Sequence, residues 1–129
     1  MLLRSLIPAL GLTLAAAGGA SAQPAGDPAK GEQIFKRCQA CHVINQPQNR
    51  VGPHLVGIVG RHSGSVEGFN YSAALKGANK TWDEATLDAY LADPKGYVPG
   101  NKMAFPGLKK PEERADVIAY LKQAGAASQ

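Results

Sequence analysis

The stretch Cys38-Gln39-Ala40-Cys41-His42 decides how the rest of this chain is interpreted. Its two cysteines are the only ones in 129 residues, and His42 follows the second directly. On a helix, residues three apart lie on one side, so thiols at this spacing can both reach the vinyl groups along one edge of a porphyrin. The histidine then offers its imidazole to the iron. The motif predicts one covalent c-type haem attached through Cys38 and Cys41, with His42 as an axial ligand.

Three other roles for the cysteine pair fit the sequence less well. A thioredoxin-type redox pair requires a βαβ context, and the sequence shows none. A structural zinc site normally takes four ligands, whereas His54 and His62 stand alone in the sequence. A disulfide within one helical turn would close a very small loop and stabilise the fold little. Haem attachment is therefore the preferred interpretation.

The first 22 residues have the pattern of a secretory signal peptide. Arg4 gives a basic start, a mostly apolar run covers residues 6–17, and Ala20-Ser21-Ala22 fits a cleavage site. The apolar run is short for a membrane span, although an uncleaved anchor is an alternative. We expect cleavage after Ala22, export to the periplasm, and a single domain over residues 23–129.

Composition limits the functions that this domain can have. The expected mature chain has 107 residues, with 13 basic against 10 acidic side chains. A positive charge this mild does not indicate nucleic-acid binding. Gly and Pro together number 24 in the whole chain, which indicates many turns, and an apolar fraction of 44% excludes wholesale disorder. A domain this small often needs a cofactor to complete its core.

Helix signals in the first half of the domain are separated by a long irregular stretch. Asp27 is a good cap for a helix over about residues 28–39, which begins with a proline. Ser72 predicts a short helix that runs to about Lys76. Residues 43–70 are rich in turn formers and follow no period. A loop of this length in a small domain indicates that it wraps around something.

Two further helices are predicted towards the C-terminus. Thr81 and Glu84 match a capping box for a helix that Pro94 ends. A loop is expected over residues 95–109 and a last helix over residues 111–125. No segment alternates as a strand does. The predicted class is all-α, with about four to five short helices and long ordered loops wrapped around one covalent haem.

Met103 is the only methionine outside the expected signal peptide, and it lies between Pro99-Gly100 and Pro106-Gly107. A methionine that only fills the core would more naturally occupy a helical stripe. Turns on both sides suit a ligand held at a fixed distance, so Met103 is the preferred sixth ligand. His54, His62 and an open iron are the alternatives. His/Met ligation fills both axial positions, which favours an electron carrier over a catalyst or gas binder.

An ordered set of short motifs runs through residues 26–124. Its members are Gly31, Phe35, Cys38-x-x-Cys41-His42, Gly52-Pro53-x-Leu55, Gly60-Arg61, Gly68-Phe69-x-Tyr71-Ser72, Trp82, Leu87-x-x-Tyr90-Leu91, Asp93-Pro94-Lys95-x-Tyr97-x-Pro99-Gly100-x-Lys102-Met103-x-Phe105 and Tyr120-Leu121. With this set the chain resembles class I cytochrome c, in particular the bacterial relatives of the mitochondrial protein. Each motif alone is weak, but the ordered set is very specific.

The resemblance implies a role for each of several residues. It implies that His42 and Met103 are the axial ligands, that the Pro53 carbonyl accepts the other imidazole N–H, and that Tyr90 donates to the Met103 sulfur. The side chains that it implies for the haem propionates are Arg61, Tyr71, Trp82 and Asn101. Taken one at a time, Trp82 and Tyr90 would more readily be core aromatic residues and Arg61 a surface charge, and only the full set favours the roles above.

Three positions depart from the mitochondrial type. Leu75 stands where that type has a polar asparagine near the haem, which puts the buried polar network there in question. Asn101 replaces a common threonine and keeps the capacity for hydrogen bonds. His54 follows Gly52-Pro53 where asparagine is common, and we expect it near the surface and not as a ligand.

The resemblance also implies a basic ring around the exposed haem edge. Its members are Arg37, Arg50, Lys95, Lys102, Lys109 and Lys110. Such a ring steers docking onto acidic partners at rates that depend on salt.

The expected function is that of a monomeric soluble electron carrier and not of an enzyme. It would take electrons from a membrane quinol-oxidising cytochrome complex, touch the membrane surface only transiently, and reduce an oxidase, reaction centre or soluble redox enzyme. The alternatives are a haem enzyme or gas-binding protein with an exchangeable sixth ligand, and an electron-entry module of a larger oxidoreductase.

Overall fold

Five α-helices joined by long irregular segments make up residues 25–126, the part of the chain that this computed structural model describes. They are α1 (Pro28–Phe35), α2 (Ala73–Lys76), α3 (Glu84–Ala92), α4 (Pro94–Tyr97) and α5 (Pro111–Ala126). The predicted all-α class is confirmed. The signal-peptide prediction for residues 1–22 lies outside the described residues.

The motif with the two cysteines lies on turns and not on a helix. Asp27 caps α1 as predicted, and its side chain accepts two backbone N–H groups of the first turn. However, α1 ends at Phe35, and residues 36–41 form tight turns instead of the predicted continuation. Cys38 N–H donates to the Phe35 carbonyl at 2.8 Å, and His42 N–H donates to the Cys38 carbonyl at 2.9 Å. These bonds still keep the two cysteines about one turn apart.

The terminal helices α1 and α5 cross at Gly31. A Cβ on Gly31 would overlap the Asp116 carbonyl and would lie 2.8 Å from Tyr120 Cβ, so the crossing requires a glycine. Phe35 packs on the Tyr120 ring with centroids 5.3 Å apart. The two helices therefore clamp the segment that precedes the cysteines.

The start of α3 corrects the predicted capping box. The N-cap is Asp83, whose Oδ1 accepts the Thr86 N–H at 2.8 Å, while Thr86 Oγ1 accepts the Asp83 N–H at 2.9 Å. Thr81 instead pairs with His62 in an isolated β-bridge, so its backbone is extended two residues before the cap. Thr81 and Glu84 are therefore not the box, and the helix begins three residues after Thr81.

A short helix was missed in the segment predicted to be a loop over residues 95–109. Pro94 ends α3 as predicted, but it also occupies the first position of α4, where a missing N–H costs nothing. Asp93 caps α4, and its Oδ1 accepts the Gly96 N–H at 3.1 Å. At the far end of the chain, α5 runs one residue past the predicted stop, to Ala126.

The other local predictions agree with the structure. Ser72 caps α2, and its Oγ accepts the Leu75 N–H at 3.1 Å. Residues 43–70 contain no helix and no strand. Within residues 25–126, no helix has both the length and the apolar character needed to cross a membrane.

The core is small and is built from both helices and loops. The side chains that form it are Phe35, Ile44, Ile58, Trp82, Leu87, Val98, Leu108, Val117, Ile118 and Leu121. Arg114 of α5 reaches Asp88 of α3, with 2.7 Å from Nε to Oδ1. These contacts hold α1, α3 and α5 around an interior cavity.

Candidate functional site

A cavity of about 340 Å³ lies between α1, α3, α5 and the long loops. Its wall is mostly apolar. The candidate residues that line it are Cys38, Cys41, His42, Pro53, Arg61, Tyr71, Trp82, Tyr90 and Met103. The fold thus brings together residues that lie up to 65 positions apart in the sequence.

The His42 ring is held in a defined tautomer. Its Nδ1 lies 2.7 Å from the Pro53 carbonyl oxygen, which can only accept, so Nδ1 carries the proton. Burial lowers the pKa of His42, the bond to Pro53 opposes that shift, and Arg61 adds to it. The neutral imidazole is therefore favoured, and its Nε2 keeps a lone pair. A histidine ligand with its other N–H bound to a carbonyl is the usual arrangement at metal sites.

Gly52 fixes the other face of the same ring. A Cβ on Gly52 would overlap the imidazole and would lie 2.7 Å from Nδ1. The Gly52 N–H donates to the Cys41 carbonyl at 2.9 Å, which ties this segment to the cysteine motif. Sequence reasoning gave Gly52 no role at the site, although the pair Gly52-Pro53 was the available signal.

Cys38 and Cys41 are partly buried in the cavity wall and are not joined to each other. Burial raises the pKa of the Cys38 thiol, Arg37 opposes this shift, and Cys41 adds to it. The thiol is therefore protonated at neutral pH. Because the thiolate is the attacking form in disulfide exchange, this environment does not favour a thioredoxin-type redox pair.

Met103 presents its sulfur to the same cavity. The Tyr90 hydroxyl lies 3.8 Å from Met103 Sδ and donates to it. Burial raises the pKa of Tyr90 to about 12, so the phenol keeps its proton. The Tyr90 ring packs on Trp82 with centroids 4.9 Å apart, which fixes its direction.

Three polar side chains on the wall suit a carboxylate. Arg61 Nη1 donates to the His54 carbonyl at 2.8 Å, and Nη2 donates to a second backbone carbonyl and lies 3.4 Å from His54 Nδ1. These contacts leave at least two N–H groups of the guanidinium, on Nε and Nη1. The Tyr71 hydroxyl accepts the Val66 N–H at 3.0 Å, so its own proton is available. Burial lowers the pKa of Arg61, but a guanidinium stays charged. Trp82, only 6% exposed, also lines this wall, and its side chain carries an indole N–H donor.

Asn101 is not among the residues that line the cavity, which departs from the propionate role implied for it. Its Nδ2 donates to the carbonyls of Pro94 at 2.7 Å and Val98 at 2.9 Å. Its Oδ1 accepts the Met103 N–H at 2.9 Å. Both amide hydrogens and the amide oxygen are therefore engaged with the backbone around Met103.

The six residues of the expected basic ring are all exposed, but they are not equivalent. Arg37 and Lys102 line the cavity. The Lys95 ammonium instead donates to the carbonyls of Asn101 at 3.1 Å and Met103 at 3.3 Å. Lys95 is therefore bound to its own chain at a position where a free docking charge was expected.

Leu75 and the two other histidines occupy different positions relative to the cavity. Leu75 lines the cavity, so the wall is apolar at the position noted as unusual. His62 also lines it, whereas His54 Nδ1 lies 3.4 Å from Arg61 Nη2 outside the wall. Residues 25–126 contain no group of three or more His, Cys, Asp and Glu side chains placed to hold a metal ion.

The comparison with known families decides the identity of this fold. The family model for cytochrome c matches residues 28–125, nearly the whole of the described domain. The chain belongs to the cytochrome c family. A cytochrome c2 from Rhodomicrobium vannielii is 57% identical over 103 residues, which cover 79% of this chain and 82% of that protein. A cytochrome c from Chlamydomonas reinhardtii is 60% identical over 105 residues, or 80% of this chain and 94% of that protein.

A solved structure agrees with this assignment. Cytochrome cH from Methylobacterium extorquens superposes with a TM-score of 0.73 at 49% identity, and covers 76% of this chain and 99% of its own. Proteins of the cytochrome c family bind one covalent haem c, and Cys38 and Cys41 supply the attachment motif. The predicted family, fold and cofactor are confirmed. Membership of this family supports a role in electron transfer.

The residues present fit this cofactor. The wall combines two thiols at attachment spacing, a neutral histidine with a free lone pair, and a thioether that accepts one hydrogen bond. Arg61, Tyr71 and Trp82 add donor groups, as two propionates require, and most of the remaining lining is apolar.

Proposed function

We propose that this cytochrome is an exported electron carrier with His42 and Met103 as the axial ligands of its haem iron. The observation that carries the proposal is that one cavity wall holds the attachment thiols, the free lone pair of His42 and the Met103 sulfur. The bound haem c supplies the one-electron redox centre. A soft thioether paired with imidazole raises the reduction potential and leaves no axial position for oxygen or peroxide.

In this proposal the protein residues hold the cofactor still. The Pro53 carbonyl orients His42, and Tyr90 orients the Met103 sulfur. Arg61, Tyr71 and Trp82 bind the propionates. The apolar wall, Leu75 included, keeps water away from the iron. A site with fixed ligands changes little between its two oxidation states, which favours fast electron transfer.

We further propose docking through the basic ring onto acidic redox proteins. The donor would be a membrane quinol-oxidising cytochrome complex, and the acceptor an oxidase, a reaction centre or a soluble redox enzyme. Arg37 and Lys102, which line the cavity, would lie nearest to the partner. The protein would act as a monomer in the periplasm, consistent with the signal-peptide pattern of residues 1–22.

Replacement of Met103 tests the ligand assignment. In the oxidised holoprotein we expect a far-red sulfur-to-iron absorption band, and Met103→Ala should abolish it while the haem stays attached. Leu75→Ala is the matched control, because it also removes an apolar side chain from the wall but no sulfur. A wild-type protein without this band would contradict Met103 ligation.

Carbon monoxide separates a carrier from a haem enzyme or gas-binding protein. With both axial positions filled, the reduced protein should bind carbon monoxide only slowly at neutral pH. Rapid binding by the wild type would favour an exchangeable sixth ligand.

Salt dependence tests the docking proposal. The rate of electron transfer to an acidic partner should fall as ionic strength rises. Lys109→Gln should flatten this dependence, whereas Lys122→Gln should leave it unchanged, because Lys122 already pairs with Glu84 at 2.8 Å. A flat salt profile of the wild type would show that the ring does not steer docking.

A further inference from the structure

The side chain of Asn101 is buried, and all of its hydrogen bonds go to backbone groups of the segment that leads to Met103. It is 4% exposed, and its amide links the carbonyls of Pro94, the first residue of α4, and Val98, the residue after α4, to the Met103 N–H. A buried amide with every group satisfied fixes the segments that it joins, because breaking one bond leaves a buried polar group without a partner. Asn101 therefore couples the position of Met103 to α4.

Lys95 joins the same two segments, α4 and residues 101–103, from the protein surface. It lies within α4, and its ammonium donates to the carbonyls of Asn101 and Met103. Charge-assisted hydrogen bonds are stronger than neutral ones. Both backbone polar groups of Met103 are thus held: its N–H donates to Asn101, and its carbonyl accepts from Lys95.

We propose that Asn101 and Lys95 are positioning residues for Met103 and form what we call the methionine clamp, which ties residues 101–103 to α4. This inference rests on the proposed function, in which Met103 is an axial ligand. Movement of residues 101–103 away from α4, which would take Met103 off the iron, breaks the four side-chain hydrogen bonds that join this segment to α4 and to Val98. The clamp therefore sets how readily an external ligand replaces Met103.

Imidazole is a suitable probe, because it competes for the position that Met103 occupies. The oxidised holoprotein is titrated with imidazole, and loss of the far-red sulfur-to-iron band is followed. Lys95→Met keeps the aliphatic stem and removes the ammonium, and we expect the apparent imidazole affinity to rise about tenfold. Lys95→Arg keeps donors at this place and should return the affinity to within about twofold of the wild type.

The controls separate the clamp from loss of charge. Lys30→Met removes the same charge from an exposed lysine of α1 outside the basic ring, and it should leave the imidazole affinity unchanged. Asn101→Leu should have a larger effect than Lys95→Met, because it leaves the Met103 N–H without a partner and removes the side-chain donors to the Pro94 and Val98 carbonyls, which keep only their backbone hydrogen bonds. If Asn101→Leu does not fold, Asn101→Thr keeps one acceptor for the Met103 N–H and should give an intermediate affinity.

Amide hydrogen exchange gives a second readout that general destabilisation would not reproduce. In the holoprotein, Lys95→Met should speed exchange of the Met103 amide about tenfold and leave the Gly52 amide unchanged. Equal acceleration at both amides would overturn the proposal, as would an imidazole affinity of Lys95→Met equal to that of Lys30→Met. Absence of the band in the wild type would instead contradict Met103 ligation itself, so the two failures are distinguishable.

Discussion

His42 and Met103 are held in different ways, although they belong to one cavity. His42 is fixed by its immediate surroundings: the turn after α1, the Gly52 backbone against its ring, and one hydrogen bond to Pro53. Met103 is fixed by polar side chains that reach it from α3 and α4 and from its own loop. The histidine side is therefore set by steric fit, and the methionine side by hydrogen bonds.

This difference determines which side of the cavity, that of His42 or that of Met103, can open by a local movement of the chain. A ring wedged against backbone moves only if the surrounding chain moves. A loop held by several hydrogen bonds opens locally at a lower free energy than the whole fold. The methionine side is thus the part of the site from which we expect motion, and substitutions should separate the two sides.

The largest effect should come from Gly52→Ala on the histidine side. The new Cβ would overlap the His42 ring, so the ring or the backbone must shift and the bond to Pro53 is lost. We expect unfolding free energy to fall by about 3 kcal/mol, measured by guanidinium titration of the holoprotein. Gly77→Ala is the control, since its Cβ would lie 3.4 Å from the nearest atom, the Ala73 carbonyl oxygen. Equal stability of the two variants would show that the ring is not wedged.

The next largest effect should come from Arg114, whose side chain forms hydrogen bonds with the backbone a few residues after Met103. Its guanidinium donates to the carbonyls of Leu108 at 2.9 Å and Lys109 at 3.2 Å and pairs with Asp88, and the side chain is 12% exposed. Arg114→Met should cost about 2 kcal/mol, because charged hydrogen bonds are lost in a largely buried place. The far-red band should also disappear at a lower denaturant concentration than helical structure does.

Lys122→Met is the comparison for Arg114. It breaks an exposed pair with Glu84 and should cost less than about 0.5 kcal/mol. Equal losses in the two variants would mean that the environment of Arg114 contributes nothing, and simultaneous loss of the band and of the helices would mean that the methionine side does not open first.

A smaller effect should come from the cap of α4, the helix that carries Lys95. Asp93→Ala removes the acceptor for the Gly96 N–H and should cost about 1 kcal/mol. Asp27→Ala removes the equivalent cap of α1 at a similar cost. Only Asp93→Ala should increase imidazole affinity, because only α4 holds the methionine clamp. An equal increase in both variants would show that global stability, and not α4, controls the methionine side.

The two sides also differ in how far the sequence predicts them. Cys38, Cys41 and His42 form a contiguous motif, so their chemistry could be inferred from spacing alone, whereas the contacts of Gly52 and Pro53 with the ring depend on the fold. The hydrogen bonds of Asn101 and Lys95 to the backbone around Met103 could not be predicted, because only the folded loop brings those backbone groups near. The α4 helix was missed since four residues show no periodicity. The capping box of α3 was misplaced because two overlapping patterns, from Thr81 and from Asp83, fit the same segment.

The smallest effect should be a change in pH dependence on the histidine side. Burial lowers the pKa of His54, and the neighbouring Arg61 lowers it further. The folded state therefore binds a proton less readily than the unfolded state, whose histidine titrates near 6.5. Stability from this difference is complete above about pH 6.5 and is lost as pH falls through the lower folded value.

His54→Asn should reduce the slope of unfolding free energy between about pH 7 and 5. Between about pH 7 and 8, where His54 is largely neutral in both the folded and the unfolded state, the unfolding free energies of the wild type and of His54→Asn should change with pH to the same extent. An unchanged slope at acidic pH would mean that Arg61 does not oppose protonation of His54, and that the acid sensitivity of the histidine side arises elsewhere.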